Sequence, residues 1–135
     1  MKRVFDTSVK AIDFPILLLR LTSGSFMLFG HGIPKLGAFS QDPIQFLDFM
    51  GLGAPTSLVL AVAAEIGCSI LLILGLGTRL AVIPLIITMI VAVTVFHAAD
   101  PFGVIEKPLL FLLIFVVLLI TGSGKYSVDQ LISKK

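Results

Sequence analysis

Residues 58–96 read LVLAVAAEIGCSILLILGLGTRLAVIPLIITMIVAVTVF, and this stretch decides the fold. Two long apolar runs flank the short sequence Gly75-Leu76-Gly77-Thr78-Arg79. Glycine ends helices because it adopts positive φ readily, and Thr78 is a candidate N-cap for the helix that follows. Since a helix of about 20 apolar residues spans a bilayer, the stretch predicts a hairpin of two transmembrane helices.

The rest of the chain has the same apolar character. Its 135 residues are 57% hydrophobic and 13% charged, with a mean hydropathy of +1.10, which is more apolar than soluble domains usually are. Apolar segments occupy 14–32, 56–76, 80–96 and 108–121. We therefore predict an all-α membrane protein with one domain, 1–135, built as an antiparallel bundle of four transmembrane helices.

The loops and the last segment refine this prediction. In the first outer loop, 33–55, Asp42-Pro43 precedes several apolar residues and predicts a short interfacial helix that ends at Met50. The fourth segment, 108–121, is only about 21 Å long as a helix, which is less than the hydrocarbon core of about 30 Å. We expect either that the bilayer thins locally around it or that residues 104–107 lie in the interface.

Lysine and arginine residues are distributed unequally between the two sides of this bundle. Seven lie on the side of the termini, two lie on the other side, and Arg20 lies within a span. The seven are Lys2, Arg3, Lys10, Arg79, Lys125, Lys134 and Lys135, and the two are Lys35 and Lys107. Because cytoplasmic loops carry an excess of basic residues, we predict that both termini are cytoplasmic.

Two ionisable residues, Arg20 and Glu65, lie inside predicted spans, where a charge costs about 2.5 to 3.5 kcal/mol near a helix centre. From their sequence positions, the two Cα atoms differ in depth by about 4.5 Å within a core of about 30 Å. An arginine side chain reaches across that distance. We therefore predict an intramembrane Arg20–Glu65 pair between adjacent helices, which either fixes their register or serves function.

Several polar residues gather at the outer end of the predicted bundle. His31 shares a helical stripe with Arg20 because 11 residues make about three turns. The spacing of the polar residues matches no metal motif, so we predict no metal site. Their donors beside an apolar bundle suit a quinone head group or a small anion better. The predicted outer-mouth binding residues are His31, Lys35, His97 and Glu106.

The sequence also disfavours several classes of function. The charges lie between apolar runs and form no basic patch with interleaved aromatic residues, so we expect no nucleic-acid binding. A single cysteine, Cys68, cannot form an internal disulfide or a Cys-x-x-Cys redox pair. The chain has neither a glycine-rich phosphate loop nor a haem-attachment motif. A quinone is therefore the one cofactor that we consider.

The chain resembles the DoxX family of small bacterial membrane proteins over nearly every span. The motifs that carry the resemblance are Arg20 with Gly24, His31-Gly32-x-x-Lys35-Leu36, Glu65-Ile66-Gly67 before Gly75-Leu76-Gly77-Thr78-Arg79, His97, Glu106 with Pro108, and Thr121-Gly122-Ser123-Gly124-Lys125-Tyr126-Ser127-Val128-Asp129. The resemblance implies a four-helix bundle in the bacterial inner membrane. It also implies partnership with a membrane redox or oxidative-stress complex, since the family takes its name from a subunit associated with thiosulfate:quinone oxidoreductase. The lone cysteine departs from relatives that carry a dithiol.

Three functional hypotheses follow from the residues and the resemblance. The leading one is a membrane component of a redox or detoxification system that binds a quinone or similar small molecule, acting as a non-autonomous subunit of a membrane oxidoreductase. The second is a small proton-linked transporter in which Glu65 alternates between paired and protonated states. The third is a non-catalytic scaffold in the lipid bilayer for a partner protein or a second copy of the chain.

Overall fold

The computed structural model describes residues 11–134, and four helices in this range are long and apolar enough to cross a membrane. These helices are α1 (Asp13–Ser40), α2 (Ala54–Leu74), α3 (Thr78–Phe96) and α4 (Phe102–Thr121). A short helix, α5 (Val128–Ser133), follows them. The predicted all-α fold with four apolar spans is therefore confirmed. Four of the basic residues used to predict topology, Lys2, Arg3, Lys10 and Lys135, lie outside the described residues.

The four long helices form a closed ring. Each helix packs on the next one in the chain, and α4 returns to α1. Side chains with no exposed surface fill the centre, among them Met27, Leu72, Val82 and Phe115. Large apolar side chains also cover the outside of the ring, as shown by Leu80, which is 75% exposed. A surface with this much exposed apolar area matches a bundle whose solvent is lipid.

The two ends of the bundle differ, and we call them the termini end and the loop end. The termini end holds the first turns of α1 and α3, the last turn of α4, and α5. The loop end holds the connections 41–53 and 97–101. The candidate binding residues lie mainly at the loop end, whereas Arg20 reaches the termini end.

The tight connection between α2 and α3 is closed by a residue from the C-terminal segment. α2 ends at Gly75, which has a φ of +70°, a value that glycine tolerates. The backbone N–H groups of Gly77 and Thr78 donate to the Asp129 carboxylate at 2.7 and 3.3 Å. The predicted Thr78 N-cap is therefore wrong. A carboxylate 51 residues away caps α3 instead, because folding brings α5 across its first turn.

The first outer loop also differs from the sequence prediction. α1 continues through the start of this loop to Ser40, ending in a 3-10 turn (Leu36–Ser40). The predicted helix at 42–50 is not formed, and residues 41–49 are irregular. The reason is a competing tertiary contact, because the Phe49 N–H donates to the Ser57 hydroxyl of α2 at 2.9 Å rather than to a helical carbonyl.

The fourth span is longer than its apolar run indicated. α4 begins at Phe102 rather than at residue 108 and contains 20 residues, which corresponds to about 30 Å. Glu106 and Lys107 lie within its early turns and are exposed. Charged side chains near a helix end extend to the interface without breaking the helix. Bilayer thinning is therefore not required to accommodate α4.

Candidate binding site

A cavity of about 360 Å³ opens at the loop end between α1, α2, α3 and the irregular segment 41–49. Its walls are mostly apolar, and the side chains that line it include Phe46, Phe49, Leu60, Ile87, Met89 and Phe96. Four of the residues predicted from the sequence also line it, namely His31, Lys35, Glu65 and His97. The fold therefore brings an ion pair and two imidazoles to one apolar chamber.

The ion pair of the cavity joins Lys35 to Glu65. The Lys35 ammonium donates to both carboxylate oxygens, at 2.9 and 2.7 Å. The pair is buried unequally, since the side chain of Glu65 is 3% exposed and that of Lys35 is 28% exposed. A charge removed from water is stable only when it is paired, so Lys35 is what allows Glu65 to lie at this depth as a carboxylate.

The predicted Arg20–Glu65 pair is not formed. The Arg20 guanidinium donates instead to four backbone carbonyls, of Leu72 and Ile73 at 3.0 Å each and of Ser123 and Tyr126 at 2.6 and 2.8 Å. Leu72 and Ile73 belong to the last turn of α2, where unpaired carbonyls and the helix dipole attract a cation. Arg20 is only 1% exposed, so backbone oxygens replace the carboxylate partner that we predicted.

The physical reason for this correction is the direction in which Arg20 extends. Leu72 lies seven residues after Glu65, or about 10 Å further along α2 toward the termini end. The arginine side chain turns to that end and thus moves away from the carboxylate. Depth along the membrane normal was estimated from Cα positions, which do not specify the direction of a long side chain.

The two histidines stand in different surroundings. The His31 ring packs edge-on against Phe111 of α4, with ring centroids 5.8 Å apart. His97 follows α3, and its Nδ1 lies 2.6 Å from Asp100 Oδ2. When Nδ1 donates to this carboxylate, Nε2 is left as a proton acceptor. The cavity therefore combines a cation, a carboxylate and two imidazoles whose ring orientations are held by neighbours.

Glu106 does not belong to this cavity. Its side chain is exposed and borders a separate groove of about 540 Å³ between α1 and α4. Phe111 lines the same groove, so the contact between Phe111 and His31 separates the groove from the cavity. Sequence position alone had placed Glu106 at the outer mouth. The helical turn that carries Glu106 places it in the groove between α1 and α4 instead.

Three π-helical turns lie around the cavity. They are Leu28–Gly32 in α1, Ala63–Cys68 in α2 and Ala92–Phe96 in α3. The first contains His31, the second contains Glu65, and the third ends immediately before His97. Single π turns are rare in helices and occur frequently at functional sites. Each of these turns adds a residue to its helix and thereby re-aims a polar side chain toward the cavity.

Glycine allows α1 to approach the turn that carries Glu65. A Cβ atom added to Gly32 would lie 3.2 Å from the Glu65 carbonyl carbon and 2.8 Å from a side-chain carbon of Ile66. Gly24 makes a similar approach to Ser69 and Ile73 lower on α2. Small residues allow such close packing of membrane helices. The approach at Gly32 sets the separation between Lys35 on α1 and Glu65 on α2.

The sequence reasoning did not select some polar residues of the cavity. Ser57 accepts from Phe49 N–H and donates to the Gly53 carbonyl at 2.8 Å. The Thr88 hydroxyl donates to the Pro84 carbonyl at 2.8 Å, four residues earlier in α3. Proline lacks the N–H of a regular helical hydrogen bond, and the Thr88 hydroxyl bonds back to the preceding turn inside a helix that stays α-helical from Thr78 to Val91.

This arrangement suits an uncharged polar ligand with an apolar body. The Lys35 ammonium and the His31 imidazole supply donors for a carbonyl oxygen, and the apolar wall covers the remainder of the ligand. Within residues 11–134, no group of three or more histidine, cysteine, aspartate or glutamate side chains is placed to hold a metal ion.

The fold and the cavity define a class of protein, which is the small four-helix membrane protein with a charged pair in an apolar chamber at one end. A family model described as DoxX matches residues 16–98. The chain belongs to the DoxX family, and the resemblance noted in the sequence is confirmed. It is a multi-pass membrane protein. The matched region contains His31, Lys35, Glu65 and His97.

One curated relative extends this result beyond the matched region. The chain is 32% identical over 126 residues to a Bacillus subtilis (strain 168) protein named "Putative oxidoreductase CatD". The alignment covers 93% of this chain and 92% of that protein. No solved structure matches the chain. The similarity therefore includes the C-terminal segment that receives Arg20.

Proposed function

We propose that this protein is a membrane component of a redox or detoxification system and that its cavity binds the head group of a quinone or a similar small molecule. The observation that carries this proposal is the Lys35–Glu65 pair, which lies in an apolar cavity that His31 and His97 also line. A buried ion pair adds little to stability compared with apolar side chains of equal volume. Ligand binding therefore accounts for the pair better than a contribution to stability does.

The chemistry of a quinone matches the donors of the cavity. Each quinone carbonyl accepts a hydrogen bond, and the Lys35 ammonium and an imidazole N–H supply such bonds. The volume of about 360 Å³ lies in the range of small-molecule sites, which begins at about 300 Å³. Glu65 balances the charge of Lys35, so that the cavity binds a neutral head group without a net charge of its own.

In this proposal the chain holds the ligand, and a partner protein supplies or accepts the electrons. Reduction of a quinone takes up two electrons and two protons, and the His31 and His97 imidazoles are placed to pass protons at the cavity wall. The Bacillus subtilis relative is named "Putative oxidoreductase CatD", and this name supports a redox role for the present chain. The protein is thus a subunit of an oxidoreductase rather than a complete one.

We place the protein in the bacterial inner membrane with both termini cytoplasmic. Among the described residues, Arg79, Lys125 and Lys134 lie at the termini end, whereas Lys35 and Lys107 lie at the loop end, where Lys35 is neutralised by its partner. This asymmetry has the sign that the positive-inside rule requires. A membrane-impermeant maleimide applied to intact cells tests it with single cysteines introduced at each end in a Cys68→Ser background.

The test of the ligand site is a binding measurement on four proteins in mild detergent. Wild type, Lys35→Met, Glu65→Gln and the control Glu106→Gln are titrated with short-chain benzoquinone and naphthoquinone analogues, and bound ligand is counted by native mass spectrometry. Glu106 is the control because its carboxylate lies on the same bundle but outside the cavity.

We expect Lys35→Met to bind at least about tenfold more weakly, since a hydrogen bond from a charged group is worth about 1.5 to 3 kcal/mol. Glu65→Gln weakens binding because it releases Lys35 from its position, and Glu106→Gln leaves binding unchanged. Equal binding by all four proteins would refute the proposed site. A pH-dependent flux across proteoliposomes that Glu65→Gln abolishes, without quinone binding, would favour the transporter hypothesis instead.

A further inference from the structure

A second cavity lies at the termini end, on the opposite side of the bundle from the candidate quinone site. It measures about 390 Å³, and two cations, Arg79 and Lys125, are among its lining residues. Turn residues with small or polar side chains make up most of the remainder. This cavity takes no part in the proposed function, and its chemistry differs from that of the apolar chamber at the loop end.

Both carboxylates that line this cavity are engaged by backbone amides. Asp129 accepts from the N–H groups of Gly77 and Thr78, and Asp13 Oδ1 accepts from the N–H of Lys125 at 3.0 Å. The positive ends of the amide dipoles thus offset the negative charges of the two carboxylates. The acidic residues are therefore occupied with holding the turns in place.

The two cations have few partners among residues 11–134. Arg79 makes one hydrogen bond there, from Nη2 to the Ile120 carbonyl at 3.2 Å, although a guanidinium has five N–H donors. The Lys125 ammonium lies 3.5 Å from Asp13 Oδ2, and its side chain is 76% exposed. N–H donors of both cations thus remain available at the rim of the cavity.

A buried hydroxyl gives a second and independent sign of a ligand. Thr78 lines the cavity and is 1% exposed, yet its Oγ1 has no hydrogen-bond partner in the described chain. Buried polar groups in native proteins are nearly always hydrogen-bonded, so an unpaired one requires a partner of another kind. An oxygen of a ligand in the cavity would supply that partner.

The walls of the cavity are held in place before any ligand binds. Arg20 fixes the C-terminal turn through the carbonyls of Ser123 and Tyr126. Gly122, with a φ of +78°, lies against the Arg79 side chain, and an added Cβ would come within 3.3 Å of its Nε. The Arg79 guanidinium therefore packs against Gly122, which restricts its motion. Preorganisation of this kind reduces the entropic cost of binding.

The position of the cavity identifies the source of the ligand. It is formed by the first turns of α1 and α3 and the end of α4, where three of the four apolar spans begin or end. Lipid head groups occupy that level on every side of the bundle. Basic pockets between transmembrane helices on the cytoplasmic side are known binding places for anionic head groups.

We propose that this termini-end cavity binds the phosphate-bearing head group of an anionic membrane phospholipid, with Arg79 and Lys125 contacting the phosphate and Thr78 Oγ1 hydrogen-bonding to the head group. The site is independent of the quinone proposal, because it lies at the other end of the bundle and shares no residue with it. A soluble phosphate has the same binding chemistry, and the experiment separates the two sources.

The test uses delipidated protein in a zwitterionic detergent. Thermal stability and native mass spectra are recorded with dioctanoyl phosphatidylglycerol, with dioctanoyl phosphatidylcholine and with inorganic phosphate. We expect saturable stabilisation and a one-to-one adduct with phosphatidylglycerol alone. Stabilisation by all lipids equally, or by inorganic phosphate at the same concentration, would overturn the assignment to an anionic lipid.

Variants locate the binding to the cavity. Lys125→Gln and Arg79→Gln should each weaken phosphatidylglycerol binding about fivefold, and the double variant about 30-fold, whereas the cation control Lys107→Gln at the loop end should bind normally. Lys125 is exposed, so its variant folds even if the Arg79 variant does not. Unchanged binding in Lys125→Gln and Arg79→Gln would refute the site.

A substitution at Thr78 provides a test with opposite signs. Thr78→Val removes the unpaired hydroxyl at nearly constant volume, so the lipid-free protein should become more stable. The same change removes a contact to the head group, so affinity for phosphatidylglycerol should fall. A variant that gains stability and retains full lipid affinity would show that the hydroxyl does not contact the ligand.

Discussion

Replacing Arg20 tests how this bundle stabilises a buried cation without a carboxylate. Arg20→Met removes one guanidinium and leaves four carbonyls without their donor, of which two end α2 and two belong to the C-terminal turn. Bonds from charged donors are worth about 1.5 to 3 kcal/mol each, but bonds in one network are not additive. We expect a loss of about 4 kcal/mol, within the range for breaking a buried charged network.

Arg20→Lys separates charge from geometry. An ammonium keeps the attraction to the α2 dipole, yet its compact group cannot reach carbonyls on two different segments at once. We therefore expect about half of the loss seen for Arg20→Met. Arg79→Met is the matched control, because this exposed arginine makes one bond of 3.2 Å, and a surface change usually stays within about 0.5 kcal/mol.

The assay follows unfolding in mixed micelles of mild detergent and sodium dodecyl sulfate. Circular dichroism reports the helices, and tyrosine emission reports the C-terminal turn, since the chain has one tyrosine, Tyr126, and no tryptophan. In wild type the two signals should coincide. In Arg20→Met the tyrosine signal should change first. Coincident signals in Arg20→Met, or a loss no larger than that of Arg79→Met, would refute the role assigned to Arg20.

Three further predictions follow from the contacts described above. Lys35→Met should destabilise the protein more than Glu65→Gln in thermal unfolding, because it leaves the more deeply buried partner, Glu65, without its counter-charge. The double variant should lose less stability than the sum of the two single losses. Gly32→Ala should cost about 1 to 3 kcal/mol and weaken quinone binding in parallel, since the added methyl group meets the backbone of Glu65. Asp129→Ala should lower stability by about 1 kcal/mol and speed hydrogen exchange at Gly77, which loses its acceptor.

The number and type of the elements follow from local physics. Runs such as 58–74 are too apolar and too long to be anything except membrane helices, and Gly75 ends one of them because it alone tolerates the required φ. The ends of the predicted helices were less accurate where a charged residue lies near the membrane interface. Glu106 and Lys107 belong to α4 in the structure, since helices continue past charges that can reach water.

Polar partners in this protein could not be read from sequence position. Both Arg20 and Glu65 were correctly selected as buried ionisable residues, but each has a different partner from the one predicted. Lys35 reaches Glu65 because α1 continues as a helix beyond Gly32 and packs directly on the π turn of α2. A π turn changes the facing of every later residue, and hydropathy does not reveal it.

Hydrophobic length and the cost of burying charge are local properties of the chain, so the four-span membrane bundle, its family and the residues that resist a purely apolar environment can be inferred from the sequence. The contacts that neutralise Glu65 with Lys35, bind Arg20 to carbonyls of two segments and cap α3 with Asp129 are visible only in the folded chain. These contacts join residues 30 to 106 positions apart. They depend on side-chain direction and helix rotation, which are set only when the four helices pack together.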